Sequence, residues 1–407
     1  MSEKPETSKG AGGKGSRTST GVRDIVARCE QLFEDLNFGV VKAWKAAAPG
    51  RKAIGYMPLY VPREIIHAAG MLPVGIFGGG DQMEVIQGDA YYQSYICRIP
   101  RSTLELGLTG KLDLLDGMLF PSTCDVIRNL SGMWQILFKD KYVKYFDVPQ
   151  NYDDAIGGNF YVHEMQAVRD DLAKLGGKPI TDEMLRASIA VYNDNRRAVR
   201  ELYAYRAQKP WQAPTSEVYL VLRAGCVLPP EEHTALIRQY VAATDQEPRA
   251  RRDNARVVLT GAFCEQPPLG LIKSIEMAGC YVVDDDLQLI QSWLLEEVPV
   301  TGDPLEELSK AFLHHSAQTS SKYDEHKADK GKYLLHQVKT RGAEGVVFAA
   351  PSFCDPALLE RPMLQEVLAK HKIPYTAFKY AENTGQMAPI REQAGTFADS
   401  IKLWSAA

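Results

Sequence analysis

The sequence lacks the long hydrophobic runs of membrane proteins. Its 407 residues contain no uninterrupted apolar stretch near the ~18 residues of a membrane-spanning helix. Residues 1–20 contain no Leu, Ile, Val, Phe, Tyr or Trp, so they lack the apolar core of a secretory signal. Such a segment also buries too little apolar surface to offset its ordering entropy. We expect residues 1–20 to form a disordered tail, and the protein to be cytoplasmic with no membrane contact.

An excess of basic charge is also missing. The chain has 47 Lys and Arg against 51 Asp and Glu, a formal net charge of −4. Nucleic-acid binders usually carry a basic excess, so we expect no nucleic-acid partner. The GxxxxGK[ST] motif of P-loop ATPases is absent, and the stretch 107–111 lacks its first glycine. The GAGGKG at 10–15 follows no strand, so it does not predict a dinucleotide site.

The seven cysteines include no Cys-x-x-Cys pair, which argues against a zinc ribbon. In a reducing compartment they are also not expected to form disulfides. Cys29, Cys226 and Cys280 adjoin apolar residues, which predicts small buried thiols.

Short apolar runs alternate with helical patterns, which predicts an α/β protein. We expect two parallel-sheet, Rossmann- or flavodoxin-like domains that face each other, with a helical section between them. The predicted boundaries are 21–150 for the N-terminal domain, 151–250 for the helical section and 251–407 for the C-terminal domain. The strand candidates are 53–57, 72–77, 117–120, 257–261, 280–285, 345–350 and 373–378.

Two segments of the chain resemble each other. Both DGMLFPSTCDVIRNL, with Cys124, and GVVFAAPSFCDPALL, with Cys354, contain an apolar strand, Pro-Ser-x-Cys-Asp and a helix start. A third segment, VVLTGAFCEQPPL with Cys264, shares part of the pattern. Ligands of open α/β sheets bind at the carboxyl ends of strands, where these cysteines fall. The repeat indicates duplicated halves.

Widely separated cysteines that converge from two domains fit a cluster in a cleft better than a single nucleophile. An iron–sulfur cube normally takes four thiolates, and three would leave one iron open to water or substrate. From spacing alone, the third ligand beside Cys124 and Cys354 is either Cys97 or Cys264.

Three stretches carry a family resemblance: GYMPLYVPREIIHAAGMLPVGIFGGGDQ…YICRIPRSTLELGL, GMLFPSTCDVIRNL and VVFAAPSFCDPALLERP. Together with the ending YAENTGQMAPIREQAGTFADSI, they resemble the 2-hydroxyacyl-CoA dehydratase and benzoyl-CoA reductase family from about residue 22 onward. The resemblance implies a [4Fe-4S] cluster held by Cys97, Cys124 and Cys354. Cys264 then remains a candidate for tuning that cluster.

The resemblance favours an iron–sulfur subunit of a benzoyl-CoA reductase, an oxidoreductase that acts on CH–CH bonds by ATP-driven two-electron dearomatisation of benzoyl-CoA. It implies a homologous beta subunit with its own cluster, ATP-hydrolysing activator subunits, ferredoxin as electron source, and benzoyl-CoA as substrate. The alternatives are a subunit of a 2-hydroxyacyl-CoA dehydratase, which is a lyase, and a non-reacting scaffold subunit of the same complex.

Ring reduction also needs protons, and His67 and Glu265 are the candidate catalytic donors. The apolar flanks of His67 favour a satisfied core histidine, and Glu265 fits a structural role as well as a functional one. Arg98 and Arg101 lie one helical turn apart beside Cys97. There they would bind phosphate or stabilise the negative charge of a reduced cluster, and the alternative is a surface salt bridge. We interpret the glycine loop 75–80 as a flexible turn, and residues 284–286 as an exposed acidic turn.

Overall fold

The computed structural model describes residues 21–261, 267–322, 330–381 and 387–405. The predicted tail 1–20 lies outside this range. The strands are β1 (Ala53–Tyr56), β2 (Leu72–Gly75), β3 (Gly117–Pro121), β4 (Tyr142–Phe146), β5 (Ala255–Thr260), β6 (Cys280–Asp285), β7 (Gly345–Pro351) and β8 (Tyr375–Tyr380). The helices are α1 (Val22–Glu34), α2 (Gly39–Ala46), α3 (Arg63–Ala68), α4 (Arg98–Leu108), α5 (Asp125–Leu137), α6 (Asn159–Gly176), α7 (Asp182–Gln208), α8 (Thr215–Ala224), α9 (Pro230–Gln246), α10 (Leu269–Met277), α11 (Leu289–Ser292), α12 (Pro304–His314), α13 (Lys330–Arg341), α14 (Asp355–Lys370) and α15 (Met387–Ser405).

The strands form two sheets with the same topology. The first has the order β2-β1-β3-β4 and the second β6-β5-β7-β8, and every pairing is parallel. In each sheet the chain passes from the first strand to one neighbour and then crosses to the other side. The strand order therefore reverses between the first and third strands, where open α/β sheets bind their ligands. The predicted fold class, two parallel-sheet domains, is confirmed.

Burial on both faces explains why the inner strands are continuously apolar rather than alternating. Every residue of the inner strands β1, β3 and β7 is buried, as is every residue of the edge strand β2. The flanking helices provide the cover: α10 packs on α15 and β6, and α5 packs on β3 and β4. A parallel sheet needs such crossover helices, and the chain supplies them on both sides of each sheet.

Four helices, α6 to α9, occupy the section between the two sheets, where a helical section is predicted. Helix α7 packs on α3 and on α9, and α1 packs on α8. The buried side chains of Val22 and Ile25 in α1 share one core cluster with α7 to α9 and the second sheet. In a separate core cluster, Leu185 and Ile189 of α7 pack with Ile54 and Leu119 of the first sheet, so the helical section packs against both sheets. The domain boundaries themselves stay predictions.

No helix within the described residues is long and apolar enough to cross a membrane.

Candidate functional site

Three cysteines occupy the same structural position, the residue that immediately precedes a helix. Cys124 follows β3 and caps the N-terminus of α5, and Cys354 follows β7 and caps α14. Strands β3 and β7 are the third strands of their sheets, so the duplicated Pro-Ser-x-Cys-Asp segments are structurally equivalent. Cys97 caps the N-terminus of α4. Each thiol therefore lies at the positive end of a helix dipole, where negative charge is stabilised.

The three cysteines line one cavity of about 640 Å³ between the two halves of the chain. Asp125 and Asp355, the acids of the duplicated segments, line it as well. The remaining lining is largely apolar: Pro58, Tyr95, Ile96, Ile99, Val126, Ile127, Phe353, Pro356, Leu359 and Met363, with polar Thr123, Ser320 and Glu360. Cavities of this size and lining are typical of small-molecule and cofactor sites.

The electrostatics of Cys124 reflect both halves of the chain. Burial raises the pKa of its thiol, and the backbone N–H groups of Ile127 and Val126 lower it. The negative charges of Asp125 and Asp355 raise it further. Asp355 belongs to the second half of the chain, and both duplicated segments line the same cavity.

The donor set of this cavity consists of three cysteine thiols. Among the described residues, no three His, Cys, Asp or Glu side chains are grouped closely enough to hold one metal ion. Three soft thiolates at positive helix ends, around a largely apolar cavity, are the ligands and surroundings that [4Fe-4S] clusters take. Cys97, Cys124 and Cys354 therefore fit such a group.

The two arginines beside Cys97 hold a loop onto α4. The Arg98 guanidinium donates to the carbonyls of Gly80 (3.3 Å) and Met83 (2.5 Å). Arg101 forms an ion pair with Asp89, with an Nη1–Oδ1 distance of 2.9 Å. Neither arginine lines the cysteine cavity. The structure thus gives both side chains partners within the chain, and a contact with phosphate or cluster remains a prediction.

His67 lies apart from the cysteines, on α3 against α7. Its Nδ1 is 2.9 Å from the Ser188 hydroxyl and its Nε2 is 3.3 Å from a carboxylate oxygen of Glu231. Its ring packs edge-on against Tyr192. The structure does not bring His67 to the cavity, so its predicted proton-donor role gains no geometric support. The other predicted donor, Glu265, and Cys264 lie outside the described residues.

The acidic triplet at the end of β6 is not an exposed turn, and that prediction is wrong. Asp284 and Asp285 are buried. Arg341 donates to Asp284 at 2.7 Å, and Arg206 donates to Asp285 at 2.5 Å. With Asp286 they line a second cavity of about 300 Å³ that shares Ser320 and Glu360 with the cysteine cavity.

The remaining described cysteines are buried inside the core, as predicted. Burial raises the pKa of Cys29 and of Cys280 to about 12. The Cys226 sulfur accepts a hydrogen bond from the Gln291 side chain at 3.4 Å. None of the three lines the cysteine cavity, which separates them from Cys97, Cys124 and Cys354.

Tyr92 and Glu105 are two residues of this region that the sequence patterns did not predict. The Tyr92 hydroxyl is buried, and burial raises its pKa, with a smaller contribution in the same direction from Cys97 and Cys124. One carboxylate oxygen of Glu105 accepts the backbone N–H groups of Ile86 (3.0 Å) and Gly88 (2.7 Å). The only sequence signal for either residue is its closeness to Cys97.

Comparison with known proteins identifies the family. The model of the 2-hydroxyglutaryl-CoA dehydratase D-component family matches residues 58–401, which include all three cavity cysteines. The chain belongs to this family. The resemblance noted in the sequence is thereby confirmed.

Curated relatives within the D-component family include reductase and dehydratase subunits. The C-subunit of benzoyl-CoA reductase from Thauera aromatica is 63% identical over 94% of this chain and 99% of its own length. The beta subunit of (R)-2-hydroxyglutaryl-CoA dehydratase from Acidaminococcus fermentans is 30% identical over 88% of this chain and 94% of its own. The beta subunit of (R)-phenyllactyl-CoA dehydratase from Clostridium sporogenes is 28% identical over 86% and 92%.

Proposed function

We propose that this chain is the gamma (C) subunit of a benzoyl-CoA reductase and takes part in the two-electron dearomatisation of benzoyl-CoA to a cyclic dienoyl-CoA. The observation that carries the proposal is 63% identity to the C-subunit of a benzoyl-CoA reductase along nearly the whole of both chains. The convergence of Cys97, Cys124 and Cys354 on one cavity supports a redox role for this chain within such a complex. The reaction adds two electrons and two protons to the ring.

Within the proposal, Cys97, Cys124 and Cys354 hold a [4Fe-4S] cluster. When bound, such a cluster supplies one electron at a time at low potential. The helix N-termini at the three cysteines favour the negative charge that collects there on reduction. The apolar side chains of the cavity, among them Ile99 and Ile127, limit the access of water.

The proposal includes partners. A homologous beta subunit with its own cluster is the expected neighbour, and ATP-hydrolysing activator subunits deliver electrons from ferredoxin. The absence of a P-loop motif from the sequence is compatible with ATP use by another chain. We place the complex in the cytoplasm, where reducing conditions keep the three cavity thiols available as ligands.

The test is a substrate trial on the anaerobically purified complex, with ATP and reduced ferredoxin. We expect benzoyl-CoA to give a cyclic dienoyl-CoA with consumption of two electrons per product. A complex that removes water from 2-hydroxyacyl-CoA thioesters but leaves benzoyl-CoA untouched would contradict the reductase proposal.

The dehydratase remains the second candidate because the matched family model and two of the relatives carry dehydratase names. Dehydration returns its electron, so it consumes no net reductant, and electron stoichiometry separates the two reactions. The scaffold alternative makes a different prediction. If the chain only supports its homologue, replacing Cys97, Cys124 or Cys354 by Ala leaves turnover intact.

A further inference from the structure

The second cavity, of about 300 Å³, lies at the carboxyl ends of strands in the second sheet. Thr260 at the end of β5 and Asp285 at the end of β6 line it, and so does Phe348 of β7. Ligands of open α/β sheets bind at this end of the strands. None of the three proposed cluster ligands lines this cavity. Its position and volume therefore fit a small-molecule site separate from the cluster site.

Three buried donor atoms on residues that line this cavity have no hydrogen-bond partner within the described part of the chain. They are Nη1 of Arg200 on α7, Oγ of Ser320 between α12 and α13, and Nε of Arg361 on α14. Unpaired buried donors are rare, because each carries a desolvation cost. Three of them from separate segments around one cavity indicate a ligand that supplies acceptor atoms.

The acidic side chains of the cavity already have partners within the chain. Asp284 and Asp285 each accept a hydrogen bond from an arginine, at 2.7 and 2.5 Å. Asp286 accepts the Thr260 hydroxyl at 3.0 Å, and Glu360, the fourth acid of the lining, is also engaged. These carboxylates therefore do not compete with a ligand for the three unpaired donors.

Arg361 differs from the other arginines of the cavity, because the described residues provide it with no carboxylate partner. Ala357 and Leu364, one helical turn before and after it on α14, also line the cavity, so Arg361 lies on the helix face that meets the cavity. A guanidinium favours an oxyanion, since its N–H groups match two oxygen atoms at once. The other lining arginines each have an acid: Arg196 pairs with Glu64, Arg200 with Glu297 and Arg341 with Asp284.

We propose that the second cavity binds a small organic oxyanion, with its charged group on Arg361 and further acceptor atoms on Ser320 and Arg200. Two sources supply this chemistry: a free carboxylate or phosphate, and the phosphate groups of a coenzyme A thioester. Ser320 and Glu360 also line the cysteine cavity, so a ligand bound here reaches the edge of the proposed cluster site. The apolar part of the ligand packs on the apolar wall, which includes Leu259, Leu289, Leu294, Leu334 and Phe348.

The test is isothermal titration calorimetry of the anaerobically purified complex with three probes: inorganic phosphate, benzoate and coenzyme A. Arg361→Gln removes the cation and breaks no hydrogen bond of Nε within the described residues. We expect at least one probe to bind the wild-type complex, and to bind Arg361→Gln roughly 10- to 100-fold more weakly. Ser320→Ala, the second variant, should weaken binding of the same probe about fivefold. Arg391→Gln is the matched control, because Arg391 is exposed and lines neither cavity, and its affinity should equal that of the wild type.

The probe that binds distinguishes the two sources. Binding of phosphate or benzoate that depends on Arg361 assigns the cavity to a free anion, whereas binding of coenzyme A alone that depends on Arg361 assigns it to the thioester. No binding of any probe, or an affinity unchanged in well-folded Arg361→Gln and Ser320→Ala, overturns the inference. The proposed function fails separately, in the benzoyl-CoA trial and in the iron content of the same samples, because this site needs no cluster.

Discussion

The hydrogen bonds between Glu105 of α4 and the loop that precedes α4 give a prediction of how much stability this loop loses when they are removed. One oxygen of the buried Glu105 side chain accepts two backbone N–H groups, those of Ile86 and Gly88. Glu105→Leu removes this acceptor and leaves two amides unpaired, one of them buried. Each loss costs about 1–3 kcal/mol, so we expect the segment to become less stable by about 3 kcal/mol in total.

Hydrogen exchange measures this loss directly. Since about 1.4 kcal/mol corresponds to a factor of ten, amides of segment 86–92 should exchange about a hundredfold faster in Glu105→Leu. Glu105→Gln keeps a carbonyl oxygen as acceptor but loses its charge, so its effect should be about 1 kcal/mol, or roughly fivefold. Glu84→Gln is the control, because Glu84 is exposed on the same loop.

Protection of the Gly88 amide that is unchanged in Glu105→Leu would refute this reasoning. It would mean that the loop is held by its remaining contacts, such as the Arg101–Asp89 ion pair and the bonds from Arg98. A confirmed loss of protection would show that Glu105 holds segment 86–92 against α4.

Two further predictions concern buried charge. Arg206→Met leaves the buried Asp285 carboxylate without its cation, so the free energy of unfolding of the full chain, measured by urea denaturation, should fall by about 3–5 kcal/mol. Adding Asp285→Asn should recover most of that loss. A double variant no more stable than Arg206→Met alone would contradict the pairing argument. His233 is fully buried and neutral: burial, reinforced by the charge of Arg63, lowers its pKa to about 3. Its folded pKa lies below the unfolded value near 6.5, so the unfolded chain takes up the proton first and stability falls as pH drops below about 6.5. By pH 4 the loss from this group should be about 3 kcal/mol, and His233→Gln should show a correspondingly flatter decline between pH 6.5 and 4; an equally steep decline in the variant would exclude His233 as its cause.

The sequence predicted the elements whose apolar pattern is continuous. Strands β1, β3 and β7 are buried on both faces, and each appeared as an uninterrupted apolar run. Strand β4, YVKYF, was missed because its residues are mostly half-buried and a lysine lies at its centre. The continuous buried run that marks an inner strand is therefore absent from β4, whereas the edge strand β2 is buried throughout and was predicted.

The duplicated Pro-Ser-x-Cys-Asp segments predicted two corners of the site. The two segments could be recognised as equivalent from local sequence alone. The structure agrees, because each segment follows the third strand of a sheet and the two sheets have the same strand order. Cys97 came from the family resemblance, because no spacing rule separates it from Cys264.

What the sequence did not predict depends on distant partners. Asp284 and Asp285 look like an exposed acidic turn until Arg341 from α13 and Arg206 from α7 are brought to them by the fold. Arg98 and Arg101 look available for phosphate until their loop partners are known. A local pattern of charges indicates which groups are present but not which of them the fold will pair.

The central claim is that Cys97, Cys124 and Cys354 hold one cluster. The most direct measurement is iron and acid-labile sulfide content, with EPR after reduction, on anaerobically purified wild type and on Cys→Ala variants of the three residues. Cys280→Ala is the matched control, since Cys280 is buried away from the cavity. The account predicts about four irons per chain in the wild type and the control, and loss in all three variants. No iron in the well-folded wild type, purified with its partners, or full iron in the variants, would contradict it.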